Sequence, residues 1–126
     1  MRLILPIPSL QGSNSRAHYR VRIKDAKADR FIAALESRAI DVVQLKNPIV
    51  SVLWYCRTKR MLDCDNALSR CKSYIDGLTD AGWWSDDKKI VSMTVRVLPP
   101  NKVTGNVACV HITADEAPEC VLRDPL

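Results

Sequence analysis

The sequence is poor in glycine, with only four glycines in 126 residues, and these do not form a glycine-rich loop. Such loops bring backbone N–H groups against the phosphates of bound nucleotides. Their absence argues against an enzyme that holds a nucleotide diphosphate in this way.

Long apolar runs are also missing, since no stretch approaches the roughly 18 residues that cross a bilayer. Two prolines interrupt "MRLILPIPSL" before it could form the apolar part of a signal peptide. We therefore expect a soluble cytoplasmic protein that makes no membrane contact.

Cysteine and histidine do not form a recognisable ligand pattern. The five cysteines are odd in number and include no C-x-x-C pair, and there are only two histidines. A disulfide framework and a zinc ribbon are both disfavoured. Reduced and mostly buried cysteines are the better interpretation.

The size and composition indicate one folded domain spanning residues 1–126, because 47% of residues are hydrophobic and 26% are charged. Strands are predicted in "MRLILPIP", in the apolar interior segment "PIVSVLWYC", and in the half-buried segments "IVSMTVRVL" and "NVACVHIT". A helix is predicted over residues 24–39, with Ala28, Phe31, Ile32 and Leu35 on its apolar face. Residues 115–126 are expected to form a flexible tail. The fold class is therefore α+β, a mixed sheet packed by two main helices.

The second helix is predicted over residues 66–82, and it begins in the unusual stretch "RMLDCDNALSRCK". Its periodicity places six apolar side chains in one arc, while Asp65, Ser69, Lys72 and Asp76 occupy the opposite arc. Asp65 suits the N-cap and Gly82 suits the C-terminal stop. Trp83 and Trp84 follow, and packing in the core or at a subunit interface is favoured over base stacking.

Asp63 has no role as a helix cap, which makes the D-x-D spacing informative. Carboxylates at alternate positions of an extended segment project to the same side, where they favour a bound cation. Hard oxygen ligands suit Mg²⁺ or Mn²⁺. A second pair, Asp86 and Asp87, follows the helix, although "SDDKK" by itself is typical of a solvated turn.

The segment "LDCDNALSRCKSYIDGLTDAGWWSDDKKIV" resembles the RusA-type Holliday junction resolvases. In that family D-x-D-N opens a helix, a lysine and D-[GA]-L follow, and a G-x-[hydrophobic]-x-D-D element precedes a strand. The N-terminal "LPIPSLQGSNSRAHYRVRIKDAKADR" is similar more loosely. The resemblance implies that Asp63, Asp65 and Asp87 are catalytic carboxylates that hold Mg²⁺ or Mn²⁺, with Asp86 the weaker candidate of its pair.

The resemblance also implies a catalytic lysine four residues before the aspartate of D-[GA]-L, here Asp76, which selects Lys72. The interval from Asp65 to Asp76 exceeds that of the family by roughly one helical turn. An ungapped match selects Ser69 instead, which carries no positive charge. The helical count favours Lys72, which lies within about 20° of Asp65. Leu62 stands where a basic residue is expected, so Arg60 or Lys59 would substitute in phosphate contact.

The implied activity is metal-dependent hydrolysis of phosphodiesters in branched DNA, which resolves Holliday junctions by paired nicks in recombination and repair. Such resolvases act as homodimers, without an organic cofactor, and are often encoded by phages and prophages. The net charge of +5 and the uneven basic distribution agree with a polyanionic partner. The candidate DNA-binding residues are Arg16, Arg20, Arg22, Lys24, Arg57, Lys59 and Arg60.

Two alternatives remain. A branched-DNA binding protein without catalysis would explain the displaced lysine and Leu62. A Mg²⁺-dependent transferase could use D-x-D to hold a nucleotide diphosphate, although the scarcity of glycine argues against it.

Overall fold

A computed structural model describes residues 1–9, 19–102, 105 and 107–122. It contains one four-stranded sheet of β1 (Arg2–Pro6), β2 (Pro48–Tyr55), β3 (Ser92–Leu98) and β4 (Cys109–Glu116) in the order β1-β4-β2-β3. β4 pairs antiparallel with β1 and β2, whereas β2 and β3 are parallel. The predicted α+β domain with a mixed sheet is confirmed.

β2 is an interior strand, as its apolar sequence predicts, with Val50, Val52 and Trp54 buried on one face. β4 is also interior, which differs from the half-buried strand predicted from its alternation. Cys109 and His111 are buried on the face expected to be more exposed. The reason is tertiary, because β1 covers the other edge of β4 and the His111 ring lies edge-on against Tyr55.

The first helix, α1 (Tyr19–Glu36), begins five residues before the predicted start at residue 24. Asp29 and Ala33 face the core, but Phe31 and Leu35 are 64% and 42% exposed. The predicted apolar face was therefore wrong for these two side chains and for Ala28, which is also exposed. Packing of α1 on the helix that contains Gly77 selects Ala33, a small residue that permits close approach.

The predicted helix over residues 66–82 is two helices, α2 (Cys64–Arg70) and α3 (Lys72–Asp80), separated at Cys71. The Cys71 N–H lies 3.1 Å from the carbonyl oxygens of both Ala67 and Leu68, which is the bifurcated arrangement of a helix end. Asp63, not Asp65, is the N-cap of α2, although its side chain makes no capping hydrogen bond. Both assignments correct the sequence prediction.

The C-terminal end of α3 agrees with the prediction for Gly82, which has a φ of 87°. The Trp83 N–H donates to the Leu78 carbonyl and the Gly82 N–H donates to the Thr79 carbonyl, both at 3.1 Å. This pair of bonds is a Schellman motif. It turns Trp83 and Trp84 into the core, where both are fully buried and donate indole N–H bonds to Ser37 and Thr79.

The chain beyond β4 contains a short helix, α4 (Glu119–Leu122). The predicted tail boundary at residue 115 falls within β4, and Ala117 is buried next to the sheet. The Ala117 N–H also donates to the Asn47 carbonyl at 2.8 Å. Residues 123–126 lie outside the described part of the chain.

Gly77 is required by the contact between α1 and α3. A Cβ atom there would collide with the Arg30 carbonyl oxygen and would lie 2.8 Å from the Ala33 Cβ. We expect Gly77→Ala to lower the free energy of unfolding by about 1–3 kcal/mol, because neither helix backbone can move without losing packing. Urea titration followed by circular dichroism measures this, with Lys27→Ala on the exposed side of α1 as control. An unchanged unfolding midpoint in Gly77→Ala would contradict the close packing.

Candidate functional site

An open cleft of about 570 Å³ lies between α2, α3 and the chain that enters β3. Three aspartates and one lysine face it, and the remaining wall is mostly apolar. We call it the acidic cleft. Its lining residues are Asp65, Leu68, Ser69, Lys72, Ile75, Asp76, Asp87, Ile90, Val91, Ser92 and Met93.

The topology explains why these residues meet. β2 and β3 are parallel, so the chain between them must cross back along the sheet. α2, α3 and the 3-10 turn Asp87–Lys89 form this crossover. Asp65 lies in its first helix, Lys72 begins its second, and Asp87 lies just before β3. Residues distant in sequence therefore line one cleft.

The predicted metal ligands are not all in the same place. Asp65 and Asp87 line the acidic cleft, whereas Asp63 is exposed at the N-cap of α2 and is not in the described lining. Within the described residues, no group of three or more His, Cys, Asp or Glu side chains is close enough to hold a metal ion. The structure brings two of the three predicted carboxylates to one cleft.

The carboxylates of the acidic cleft match the ligands that Mg²⁺ prefers in proteins. This cation keeps several waters and commonly uses one or two carboxylates together with substrate phosphates. Asp65 and Asp87 provide two such carboxylates. Both line the same cleft, so the chemistry of this donor set fits a hydrated divalent cation.

Asp86 and Asp87 share a hydrogen bond, and their pKa values move in opposite directions. The Lys88 N–H donates to Asp86 Oδ1 at 2.9 Å and lowers the pKa of Asp86, which makes it the more readily ionised member. The hydrogen bond with Asp86, together with repulsion from Asp86 and Asp76, raises the pKa of Asp87. A cation beside Asp87 would oppose this repulsion.

The electrostatics predict separate titrations for the two carboxyl groups in the metal-free protein. Asp87 should release its proton above the ordinary aspartate value of 3.8, and Asp86 below it. Asp86→Asn should lower the Asp87 midpoint more than Asp76→Asn, because Asp86 contributes both the hydrogen bond and the nearest charge. Carboxyl carbon chemical shifts measured against pH test this. Coincident midpoints in the unsubstituted protein would contradict the coupling.

Lys72 lines the acidic cleft, but the angular argument from the helical count, which placed it near Asp65 on one helix, does not apply. That count assumed one continuous helix, whereas the chain breaks at Cys71 and Lys72 is the first residue of α3. Ser69, the ungapped alternative, lines the same cleft. The side-chain chemistry still distinguishes them, since only Lys72 carries a positive charge.

Sequence reasoning did not assign a site role to Asp76. It lines the acidic cleft, is partly buried, and contributes to the raised pKa of Asp87. A signal was present in the sequence, because Asp76 shares the polar arc of Asp65, Ser69 and Lys72. The polar side of the predicted helix therefore forms part of the wall of the acidic cleft as well as a solvated surface.

The predicted DNA-binding residues fall in two places. Arg57, Lys59 and Arg60 are exposed between β2 and α2, and Arg20, Arg22 and Lys24 lie in the first turns of α1. Arg16 lies outside the described residues. Arg30, a basic residue of α1 outside the predicted DNA-binding set, makes a two-point ion pair with Asp80 at 2.5 and 2.7 Å.

A second cavity, of about 650 Å³, lies beside the loop that follows β2. Three arginines line it together with mainly apolar side chains, and we call it the arginine cavity. Its lining residues are Pro6, Ile7, Trp54, Cys56, Arg57, Thr58, Arg60, Met61, Leu62, Arg70 and Ala108.

Among the described residues, no helix has the length and apolar character needed to span a membrane.

No protein-family model matches this sequence. The chain is similar to an uncharacterized protein of Xylella fastidiosa strain Temecula1, with 36% identity over 96 residues. The match covers 71% of this chain and 62% of that relative, so the chain spans less than two thirds of the relative's length.

Proposed function

We propose that this protein is a divalent-metal-dependent endonuclease that cleaves branched DNA, with the acidic cleft as its active site. The observation that carries the proposal is the presence of Asp65, Lys72 and Asp87 in one cleft. These are residues that the resemblance to RusA-type resolvases selected from separate parts of the sequence. Two carboxylates and an ammonium group suit phosphodiester hydrolysis better than they suit an ordinary helix packing surface.

In this proposal Asp65 and Asp87 hold Mg²⁺ or Mn²⁺, and the resemblance adds Asp63, which lies two residues from Asp65 at the N-cap of α2. The bound cation would supply Lewis-acid stabilisation of the phosphate and a more acidic water. Lys72 would place a positive charge beside a phosphate oxygen and stabilise the charge that develops during cleavage. Asp76 would orient or neutralise Lys72, four residues before it on α3.

The substrate class follows from charge. The exposed basic residues beside α2 and at the start of α1 can contact the phosphate backbone without reading base sequence. Affinity should therefore fall steeply with salt concentration. A protein acting on DNA in this way would work in the cytoplasm of a bacterial or phage-infected cell.

A homodimer fits a substrate with twofold symmetry, since two active sites related by a dyad can nick opposed strands. The outer face of α1 supports this proposal. Ala28, Phe31 and Leu35, which follow the basic first turns of α1, are exposed at the three- and four-residue spacing typical of paired helices. This face is opposite the side of α1 that contacts the core through Ala33.

We expect Phe31→Glu to convert the dimer to a monomer, because it places a charge at the centre of this apolar face. Light scattering coupled to size-exclusion chromatography measures the mass of each form. Glu36→Lys changes an exposed charge on the side of α1 that carries Asp29, away from this face, and should leave the dimer intact. A monomeric unsubstituted protein at every concentration would contradict the dimer.

The test of the function is cleavage of a synthetic four-way junction. We expect symmetric nicks in opposed strands with Mg²⁺ or Mn²⁺, and none after chelation with EDTA. A linear duplex of the same sequence is the control. Equal cleavage of the duplex would contradict the proposed specificity for junctions. Absence of cleavage with every divalent metal would contradict the proposed nuclease activity.

One observation favours a second candidate, a branched-DNA binding protein without catalysis. The described residues contain no three-residue metal-binding group, and Asp63 lies outside the lining of the acidic cleft. Tight binding of the junction without cleavage under any divalent metal would favour this candidate.

A further inference from the structure

The arginine cavity has the chemistry of a site for an aromatic anion. Its volume of about 650 Å³ lies within the usual range of small-molecule pockets. Trp54, Ile7, Leu62 and Met61 provide apolar and aromatic surface, while Arg57 and Arg60 are exposed at the cavity. No aspartate or glutamate occurs in the described lining. The cavity therefore favours a ligand that is apolar and flat at one end and negatively charged at the other.

Arg70 forms a fixed wall of this cavity. Its guanidinium carbon lies 4.9 Å from the centre of the Trp54 ring, and its Nη2 atom donates to the Pro8 carbonyl at 3.0 Å. Both contacts hold the guanidinium plane in one orientation. Bases of unpaired nucleotides stack on such planes as well as on aromatic rings. A nucleotide has both parts of such a ligand, a flat base and a charged phosphate.

The arginine cavity and the acidic cleft lie on two sides of α2. Arg70 lines the cavity, whereas its neighbour Ser69 lines the cleft. Leu62 and Asp65 line the cavity and the cleft respectively, and three residues of chain span at most about 11 Å, roughly the length of three stacked nucleotides. One DNA strand crossing the N-terminal end of α2 could therefore occupy both.

We propose that the arginine cavity receives an unpaired nucleotide of the branched DNA, with its base against Arg70 and the apolar wall and its phosphate on Arg57 and Arg60. The identity of the ligand as DNA rests on the proposed function. The cavity would hold a nucleotide near the scissile phosphate, and would select branched over fully paired DNA because only unpaired bases can enter it.

The three tryptophans allow a direct binding test. Trp54 is 3% exposed and lines the cavity beneath the Arg70 guanidinium, whereas Trp83 and Trp84 are not in the described lining and their indoles donate to Ser37 and Thr79. In ¹H–¹⁵N spectra, a deoxynucleoside monophosphate should shift the Trp54 indole signal and leave the other two unchanged. Equal effects from inorganic phosphate alone would reduce the cavity to an anion site and overturn nucleotide recognition. No shift of Trp54 would also overturn it.

Matched variants separate charge from shape. Arg57→Gln with Arg60→Gln should weaken mononucleotide binding at least about tenfold, because two charge-assisted hydrogen bonds are lost. Lys27→Gln removes an exposed positive charge outside the cavity lining, and should change affinity less than about twofold. Ala108→Phe keeps the arginines and fills the cavity, so it should weaken binding of the nucleotide but not of inorganic phosphate. Equal losses in Lys27→Gln would contradict the site.

A junction carrying 2-aminopurine at the branch point tests the same site in the complex. Its fluorescence should rise on binding in the presence of EDTA, since the base leaves the stack. Asp65→Asn should leave this rise unchanged, while Arg57→Gln with Arg60→Gln should remove most of it. If the unsubstituted protein gives the fluorescence rise but does not cleave the junction with Mg²⁺ or Mn²⁺, the proposed nuclease activity is wrong and the nucleotide site stands. If it cleaves the junction but gives no fluorescence rise, the nucleotide site is wrong and the nuclease activity stands.

Discussion

Asp65→Asn and Asp87→Asn are each expected to lower the rate of metal-dependent junction cleavage by about 10³-fold or more. Both carboxylates line the acidic cleft, and each supplies one of the hard oxygen donors proposed for the divalent cation. An asparagine keeps the size of the side chain but removes its charge, so metal affinity should fall with little change in fold. Single-turnover cleavage of a labelled four-way junction at saturating protein measures the rate.

Asp86→Asn is the matched control, because Asp86 is adjacent to Asp87 but is not in the described lining of the acidic cleft. Asparagine can still accept the Lys88 N–H at this helix cap. This variant should retain most of the cleavage rate. Junction binding in EDTA should be preserved in all three variants. A fully active Asp65→Asn or Asp87→Asn would exclude the acidic cleft as the active site.

Lys72→Ala is expected to lower the cleavage rate by about 10²- to 10³-fold, because it removes the one positive charge in the described lining of the acidic cleft. Mg²⁺ affinity should not fall, since an ammonium group repels cations. Lys72→Arg should recover part of the rate, because charge is retained while the shape of the donor changes. Rapid-quench measurements over a range of Mg²⁺ concentrations separate the rate from the metal affinity.

Ser69→Ala distinguishes the two alignments of the catalytic lysine position. Ser69 lines the same cleft as Lys72 but has no charge to contribute, so its loss should change the rate by less than about tenfold. Full activity in Lys72→Ala would mean that the displaced lysine is not catalytic. If Ser69→Ala and Lys72→Ala lower the cleavage rate by large and equal factors, both side chains position the chain around the break at Cys71, and the charge of Lys72 has no separate role.

Much of the fold was predictable because local sequence and tertiary packing agree. The apolar run of β2 indicates an interior strand, and β3 and β4 pair with it on either side, with the face that carries Val50, Val52 and Trp54 fully buried. Gly82 adopts a positive φ that other residues avoid, so its place at the end of α3 follows from backbone sterics. The buried state of Trp83 and Trp84 also agrees with their apolar area.

The predictions that failed concern features set by tertiary packing, such as the face of a helix that contacts its neighbour. Phe31 and Leu35 are apolar but exposed, and α1 packs through Ala33 because Gly77 allows close approach there. The break at Cys71 has no proline or glycine to mark it. Periodicity reports an average of apolar character around a helix and does not specify the face that a neighbouring helix covers.

The sequence by itself determined the α+β class, the interior strand β2 and the chemical types of the candidate site residues, because these depend on side-chain properties and local periodicity. Only the tertiary structure decided that Asp65, Lys72, Asp76 and Asp87 share one cleft while Asp63 does not, and that the arginine cavity lies on the other side of α2. The physical reason is the parallel pairing of β2 with β3, which makes the crossover run back along the sheet and carries α2 and α3 past the residues that enter β3. No local pattern in the sequence specifies which residues of the crossover lie close together in the folded chain.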